Sequence, residues 1–216
     1  LWEFLLGTMG QLLASSGDGS HEGASMITWL QALSTRTIIA MVGMMGAGKS
    51  TVGKALARQL GWEFVDTDHV IEQATGVSIP TIFEIEGEEG FRKRESQTLA
   101  SLISKPQCVL ATGGGIVLNE DNRKLLRRLG DVVYLKANVQ DLVERTKLDK
   151  NRPLLQAPNP EQKLEELLKA RKSLYQDCAD LVIETGRQPV NQIVHKICKA
   201  LKPLSKANSH DSAAQA

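Results

Sequence analysis

The stretch Gly43-Met44-Met45-Gly46-Ala47-Gly48-Lys49-Ser50 constrains this chain more than any other feature of its sequence. It has the spacing G-x-x-x-x-G-K-[ST]. It lies between an apolar run, Thr37–Val42, and a segment carrying Val52, Ala55, Leu56 and Leu60 at helical spacing. The glycines let the backbone curl until successive N–H groups converge on phosphate oxygens, and the helix N-terminus adds its positive end. Lys49 supplies a point charge for the β- and γ-phosphates, the Ser50 hydroxyl suits Mg2+, and Thr51 is placed for the α-phosphate. The plain alternative, a glycine turn before a helix that happens to hold a lysine, is disfavoured by the strand and helix on either side. The motif points to a bound nucleotide without choosing among kinase, ATPase and GTPase.

Around the motif, short apolar runs alternate with longer amphipathic ones. Strands are expected at Thr37–Val42, Glu63–Val65, Cys108–Thr112, Val132–Leu135 and Leu181–Glu184. Helices are expected at Ser50–Leu60, Glu88–Ile103, Glu120–Leu129, Val139–Lys147, Glu161–Asp177 and Pro189–Leu201. Such alternation predicts a parallel sheet covered on both faces, and 216 residues suffice for one domain with a full core. No internal repeat is visible. Residues 1–36 read as a weakly ordered extension, Gly/Ser-rich at Ser15-Ser16-Gly17-Asp18-Gly19-Ser20, with Arg36 the first Lys or Arg. Leu1 in place of Met suggests an upstream extension of the reading frame, or a fragment. Residues 37–201 form the domain, and 202–216 a polar disordered tail.

Charge and cysteine content exclude several classes. Lys and Arg total 26 against 25 Asp and Glu, for a net charge of +1 and no basic stripe of the kind nucleic acid demands. No apolar run approaches the roughly 20 residues of a membrane span. Positive charge before the apolar start is missing, which argues against secretion. Cys108, Cys178 and Cys198 are widely spaced without a C-x-x-C pair. They read as inert thiols of a reducing cytoplasm rather than a zinc site or disulfides.

Candidate chemistry clusters at the ends of the expected strands. Asp66-Thr67-Asp68 ends the second; residues two apart on an extended chain face the same way, so both carboxylates are expected in the cleft. The third strand runs into Gly113-Gly114-Gly115 without the acid that many P-loop proteins place there for a metal, which leaves Asp66 as the nearest candidate. The competing reading is an Asx turn in which Asp68, placed before Val70-Ile71, caps the next helix. Arg92 and Arg171 could each grip a carboxylate with two parallel hydrogen bonds; taken alone, each reads more readily as a solvated surface arginine. The glycine triplet allows a ligand ring close to the backbone. Asn151-Arg152-Pro153-Leu154-Leu155 sits in a polar loop of lid-like length, from which Arg152 could close over phosphates.

Taken in order, GMMGAGKST, DTD, GEEGFRKRE, ATGGG, NRPLL and ARKSLY resemble the shikimate kinase family over about Thr37 to Leu201. The resemblance implies a P-loop fold of the nucleoside-monophosphate-kinase type, three-layered, with a five-stranded parallel sheet and a mobile lid. It implies transfer of phosphate from ATP, with Mg2+, to the 3-hydroxyl of shikimate. By motif, Gly46, Ala47, Gly48, Lys49, Ser50 and Thr51 would hold the ATP phosphates. Ser50 would hold Mg2+, with Asp66 supporting it through water. Asp68 would bind the reacting hydroxyl and act as base, and Lys49 and Arg152 would complete the catalytic set, with Arg152 also on ATP. Arg92, Gly114 and Arg171 would bind shikimate. Arg145 would stack on adenine, with Arg187 and Gln188 on its other side. A cytoplasmic monomer without nucleic-acid or membrane partners is expected. A gluconate-kinase-like enzyme of the same fold and a catalytically silent nucleotide-binding module are the competing readings. The arginine pair with the glycine triplet disfavours the first, and intact Lys49, Asp66, Asp68 and Arg152 the second.

Overall fold

Apolar runs too short for helices have to pair side by side, and here they form one parallel sheet. The computed structural model describes residues 38–102, 105, 107–147 and 159–211, with 202–211 described by backbone alone. The strands are β1 (Ile38–Val42), β2 (Glu63–Asp66), β3 (Cys108–Ala111), β4 (Gly130–Lys136) and β5 (Leu181–Glu184). Their order across the sheet is β2-β3-β1-β4-β5, all parallel. The helices are α1 (Lys49–Leu60), α2 (Thr67–Thr75), α3 (Ile79–Ser101), α4 (Glu120–Leu129), α5 (Val139–Thr146), α6 (Pro160–Cys178) and α7 (Val190–Asp211), with a 3₁₀ turn at Ile116–Leu118.

Every side chain of β1 and β3 is buried, as in a strand covered on both faces. The edge strand β5 buries only Ile183 and exposes Val182 and Glu184. Helices α1 and α7 pack together on one face, α4 and α6 on the other. This is the three-layer, five-stranded architecture expected from the sequence. Among the described residues, no helix is long and apolar enough to cross a membrane.

The five expected strands are all present, and β4 starts earlier and ends later than the Val132–Leu135 core suggested. The last helix continues past Leu201 into the segment expected to be a tail. Two helical stretches have no counterpart in the expected set. Helix α2 begins directly where β2 ends, with no loop to announce it, because the Asp66 carboxylate caps it by accepting from the Asp68 N–H at 3.1 Å. Helix α3 starts at Ile79 rather than Glu88, capped by Ser78 and with Pro80 in its first turn. Its pattern breaks at Gly87 (φ 68°, ψ −175°), so apolar residues before and after that point do not share one helical phase. They meet instead in a small satellite core of Ile71, Ile82 and Phe91, flanked by Ile79 and Phe83. Across the break, Arg94 donates to Glu86 at 2.8 and 2.6 Å.

The sheet leaves no room at its tightest pairing. Gly130 sits opposite Ile38, and a Cβ there would overlap the Ile38 carbonyl. Because that neighbour is backbone of a buried strand, it cannot yield as a side-chain tip would. Gly130→Ala is therefore expected to cost about 2–4 kcal/mol, at the upper end of overpacking penalties. Urea denaturation of the variant beside wild type measures it.

Candidate active site

In an open parallel sheet the loops leaving the carboxyl ends of the strands share one edge, and ligands settle there. The loop after β1 is built for an anion. Gly46 (φ 78°) and Gly48 (φ 95°) turn the chain through left-handed backbone that a side chain resists. Gly46 has a further reason to lack a side chain, since a Cβ would come within 2.8 Å of Thr146. The N-cap of α1 is Gly48, which has no side chain to satisfy the first-turn N–H groups, and no acid occupies that turn. The helix thus offers its positive end to whatever enters the loop. Lys49 is buried, and its ammonium donates to the Gly43 and Met44 carbonyls at 2.8 and 2.9 Å, which fixes it against the loop. Ala47 is buried, while Ser50 and Thr51 are exposed at the head of α1.

The Ser50 hydroxyl donates to Asp66 Oδ2 at 2.7 Å. A hydroxyl and a carboxylate side by side beside a phosphate cradle are the hard oxygen donors that Mg2+ prefers. Asp66 does double duty, since its other oxygen caps α2. Asp68 does not lie on an extended chain beside it, as the alternation argument had it, but in the first turn of α2. That turn carries Asp68 toward the loop after β3: its Oδ1 is buried, 3.1 Å from where a Gly113 Cβ would stand.

The glycine triplet is the meeting point. A Cβ on Gly113 would overlap Glu95, and one on Gly115 would overlap the Arg92 guanidinium. Arg171, almost wholly buried on α6, donates to the Gly114 carbonyl at 3.4 Å. Arg92 and Arg171, from separate helices, both reach this loop, with Asp68 and Glu95 against Gly113. The Arg92 guanidinium is held by Glu95 (2.9 Å) and by Glu88 (2.9 and 3.3 Å). Burial works to lower the Arg92 pKa, but the two carboxylates outweigh it and the net direction is upward. Glu95 is fully buried, and burial pushes its carboxyl above the ordinary range, with Arg92 opposing and the Asp68 charge adding to the rise.

Across the cleft, Arg145 donates to the carbonyls of Gly46 (3.3 Å) and Gly186 and to the Thr185 hydroxyl (3.4 Å). It thereby ties the phosphate loop to the segment after β5. Gln188 donates to the Glu184 carbonyl at 3.1 Å and lines a cavity of about 330 Å³ with Tyr134, Asn138 and Lys172, whereas Arg187 is exposed. Arg152 lies outside the described residues.

With this geometry in view, comparison with known proteins identifies the lineage. The family profile described as shikimate kinase matches residues 45–202. The chain belongs to the shikimate kinase family. The shikimate kinase of Burkholderia thailandensis is 54% identical over 173 residues, 80% of this chain and 94% of the relative. That of Methylococcus capsulatus is 53% identical over 165 residues, 76% and 92% of the two chains. Among solved structures, the shikimate kinase from Acinetobacter baumannii in complex with shikimate has a TM-score of 0.77 at 50% identity, covering 80% of this chain and 96% of that one. A gluconokinase from Sinorhizobium meliloti, at 19% identity and TM-score 0.52, shares the fold.

Three residues of this cluster received no role from sequence. Glu95 lies three residues after Arg92, so helical spacing placed it within reach. Thr67 was hidden between two acids; its fully buried hydroxyl accepts from the Gly113 N–H at 3.1 Å. Tyr175, four residues after Arg171, gave no local signal of its target.

The raised pKa of Glu95 has a measurable sign. A carboxyl with a higher pKa folded than unfolded holds more protons in the native state between the two values. Its contribution to stability therefore falls as pH climbs from the unfolded value of about 4.3 through the raised one. Glu95→Gln removes that proton. The stability of wild type relative to Glu95→Gln should decline across this window, by at most about 1.4 kcal/mol per pH unit, and level off above it. Denaturation of both proteins from pH 4 upward measures the difference.

Proposed function

We propose that this protein transfers the γ-phosphate of ATP to the 3-hydroxyl of shikimate, giving ADP and shikimate 3-phosphate, a step toward chorismate and the aromatic amino acids. The observation that carries this reading is the pairing, on one edge of the sheet, of a phosphate cradle with a glycine loop flanked by Arg92, Arg171 and Asp68. It occurs in a chain of the shikimate kinase family. The cradle suits a triphosphate. The two guanidinium groups suit the single carboxylate of a small polyhydroxylated ring.

Each side chain has a task in this reading. The N–H groups of Gly46 to Thr51 and the Lys49 ammonium hold the phosphates and spread the charge that develops on the moving phosphoryl group. Ser50 would hold Mg2+, with Asp66 supporting it through water, a role their adjacency fits; the ion would supply charge to neutralise the phosphates. Asp68 accepts the proton of the attacking hydroxyl as the oxygen–phosphorus bond forms and the bond to the β-phosphate oxygen breaks. Arg92, Gly114 and Arg171 fix the ring. Arg145, Arg187 and Gln188 border the adenine, and Arg152 closes from the lid. The protein works as a cytoplasmic monomer.

A coupled ADP-release assay with ATP, Mg2+ and shikimate tests the reading. Turnover with shikimate and none with gluconate supports it, and the reverse overturns it. Arg92→Lys keeps the charge but loses the planar fork, so it should cost about 1–3 kcal/mol of shikimate binding. An analogue lacking the carboxylate should be handled equally poorly by wild type and variant, since the interaction is already gone. Arg152→Ala should lower kcat by about a hundredfold with shikimate affinity little changed, because a charge that arrives with lid closure serves the transition state more than the ground state. Steady-state kinetics separates the two parameters.

A further inference from the structure

Three consecutive glycines are the least self-determined backbone a chain can present, since none carries a Cβ to restrict its dihedrals. In this loop they are wedged between other elements. On one side a Cβ on Gly114 would stand 3.3 Å from the Met45 nitrogen of the phosphate loop. On the other lies α6. The loop closes a turn of its own, in which the Gly113 carbonyl accepts from the Ile116 N–H at 3.3 Å, but such a turn leaves the orientation of its central peptide open, and the side chains that fix that peptide can be named.

Two fully buried hydroxyls bind it. Thr67 accepts from the Gly113 N–H at 3.1 Å. Tyr175, on α6, donates to the Gly114 carbonyl. The same phenol oxygen lies 3.6 Å from Met44 Sδ of the phosphate loop, and its ring stacks on Tyr134 with centroids 5.0 Å apart. A peptide is planar and trans, so its C=O and N–H point in opposite directions. Holding the Gly114 carbonyl against Tyr175 therefore turns the next N–H, that of Gly115, away from α6. The ring alone would satisfy the packing; the hydroxyl, with the longer Arg171 contact at 3.4 Å beside it, sets the peptide's orientation.

We propose that Tyr175 is a positioning residue for substrate, whose hydroxyl fixes the Gly114 peptide and with it the floor on which Arg92 and Arg171 present their guanidinium groups. This rests on the reading of the glycine loop as the shikimate site. Burial raises the phenol's pKa well above its ordinary value, with the neighbouring Arg171 opposing the rise, so the group stays a donor throughout the working range.

Tyr175→Phe keeps the ring and its stacking and removes only the hydroxyl. The full-length variant should show a shikimate KM raised by roughly fivefold to thirtyfold, the loss of one buried hydrogen bond with some loosening of the loop. The ATP KM and kcat should stay within about threefold. Tyr134→Phe removes the other hydroxyl of the stacked pair, which has no contact with the Gly114 carbonyl, and should leave the shikimate KM unchanged. A folded, active Tyr175→Phe enzyme with an unaltered shikimate KM overturns the inference, as does an equal rise in both KM values. Should Tyr175→Phe not fold, the sequence allows a second route, because the chain has two tyrosines. In a Tyr134→Phe background, 3-fluorotyrosine enters at Tyr175 alone and makes the phenol a stronger donor without deleting it. A shift in shikimate KM with the ATP KM unmoved supports the proposal, and no shift in either overturns it. Wild type run alongside separates this from the functional reading: no turnover of shikimate by wild type is a failure of that reading, whereas an active wild type with an unaffected Tyr175→Phe variant fails this inference alone.

Discussion

The structure hangs on the joint between β1 and α1. A strand buried on both faces has its position fixed by the sheet on either side and by the helices above and below. The loop that leaves it must therefore turn in place before α1 begins. That turn uses left-handed backbone at Gly46 and Gly48 and starts α1 without a capping side chain. The first turn, with no capping side chain and no acid, then presents the positive end of α1 to an anion in the loop. Lys49 is folded against two carbonyls of the same loop, so the positive charge is preorganised rather than gathered when a ligand arrives. Everything else at the carboxyl edge is arranged around a point that β1 and α1 have already fixed.

The second half of the site is held differently. Around the glycine triplet the backbone closes only a turn into the short 3₁₀ segment, and the rest of its order comes from side chains reaching in: Thr67 from α2, Glu95 and Arg92 from α3, Arg171 and Tyr175 from α6. Burying Glu95 beside Asp68 is costly in isolation, and Arg92 offsets part of that cost. Such a cluster is stable as a set and vulnerable to the removal of any one charge. The two halves thus represent two ways of preorganising a site, one by backbone and one by mutual side-chain constraint.

What could be read from sequence follows the same division. The five strands, their parallel pairing and the phosphate loop were legible, because burial leaves an unmistakable apolar run and the glycine–lysine spacing has few other uses. Arg92, Arg171 and Asp68 were legible as candidates through their motifs, but the contacts that orient them were not. Asp68 was expected on extended chain and sits on a helix, since an Asx cap at Asp66 starts α2 one residue earlier than alternation allows. The start of α3 was obscured by Gly87, which resets the helical phase and splits one apolar pattern into two unrelated ones. Tyr175 and Gly114 are 61 positions apart, and nothing local to either encodes their meeting.

The crowding around Gly113 and Gly115 has a consequence for how such a protein can vary. Both positions face side chains already committed to charge pairs, Glu95 on one side and Arg92 on the other, and neither has space for so much as a methyl group. Most surface loops drift freely over generations because their side chains touch little. Here the drift is coupled to charge: a methyl at either glycine would push the end of Glu95 or Arg92 aside, so a change at a residue with no side chain is felt first by the acid or the base beside it. Positions with the least chemistry of their own are in this way bound most tightly to the fate of their neighbours.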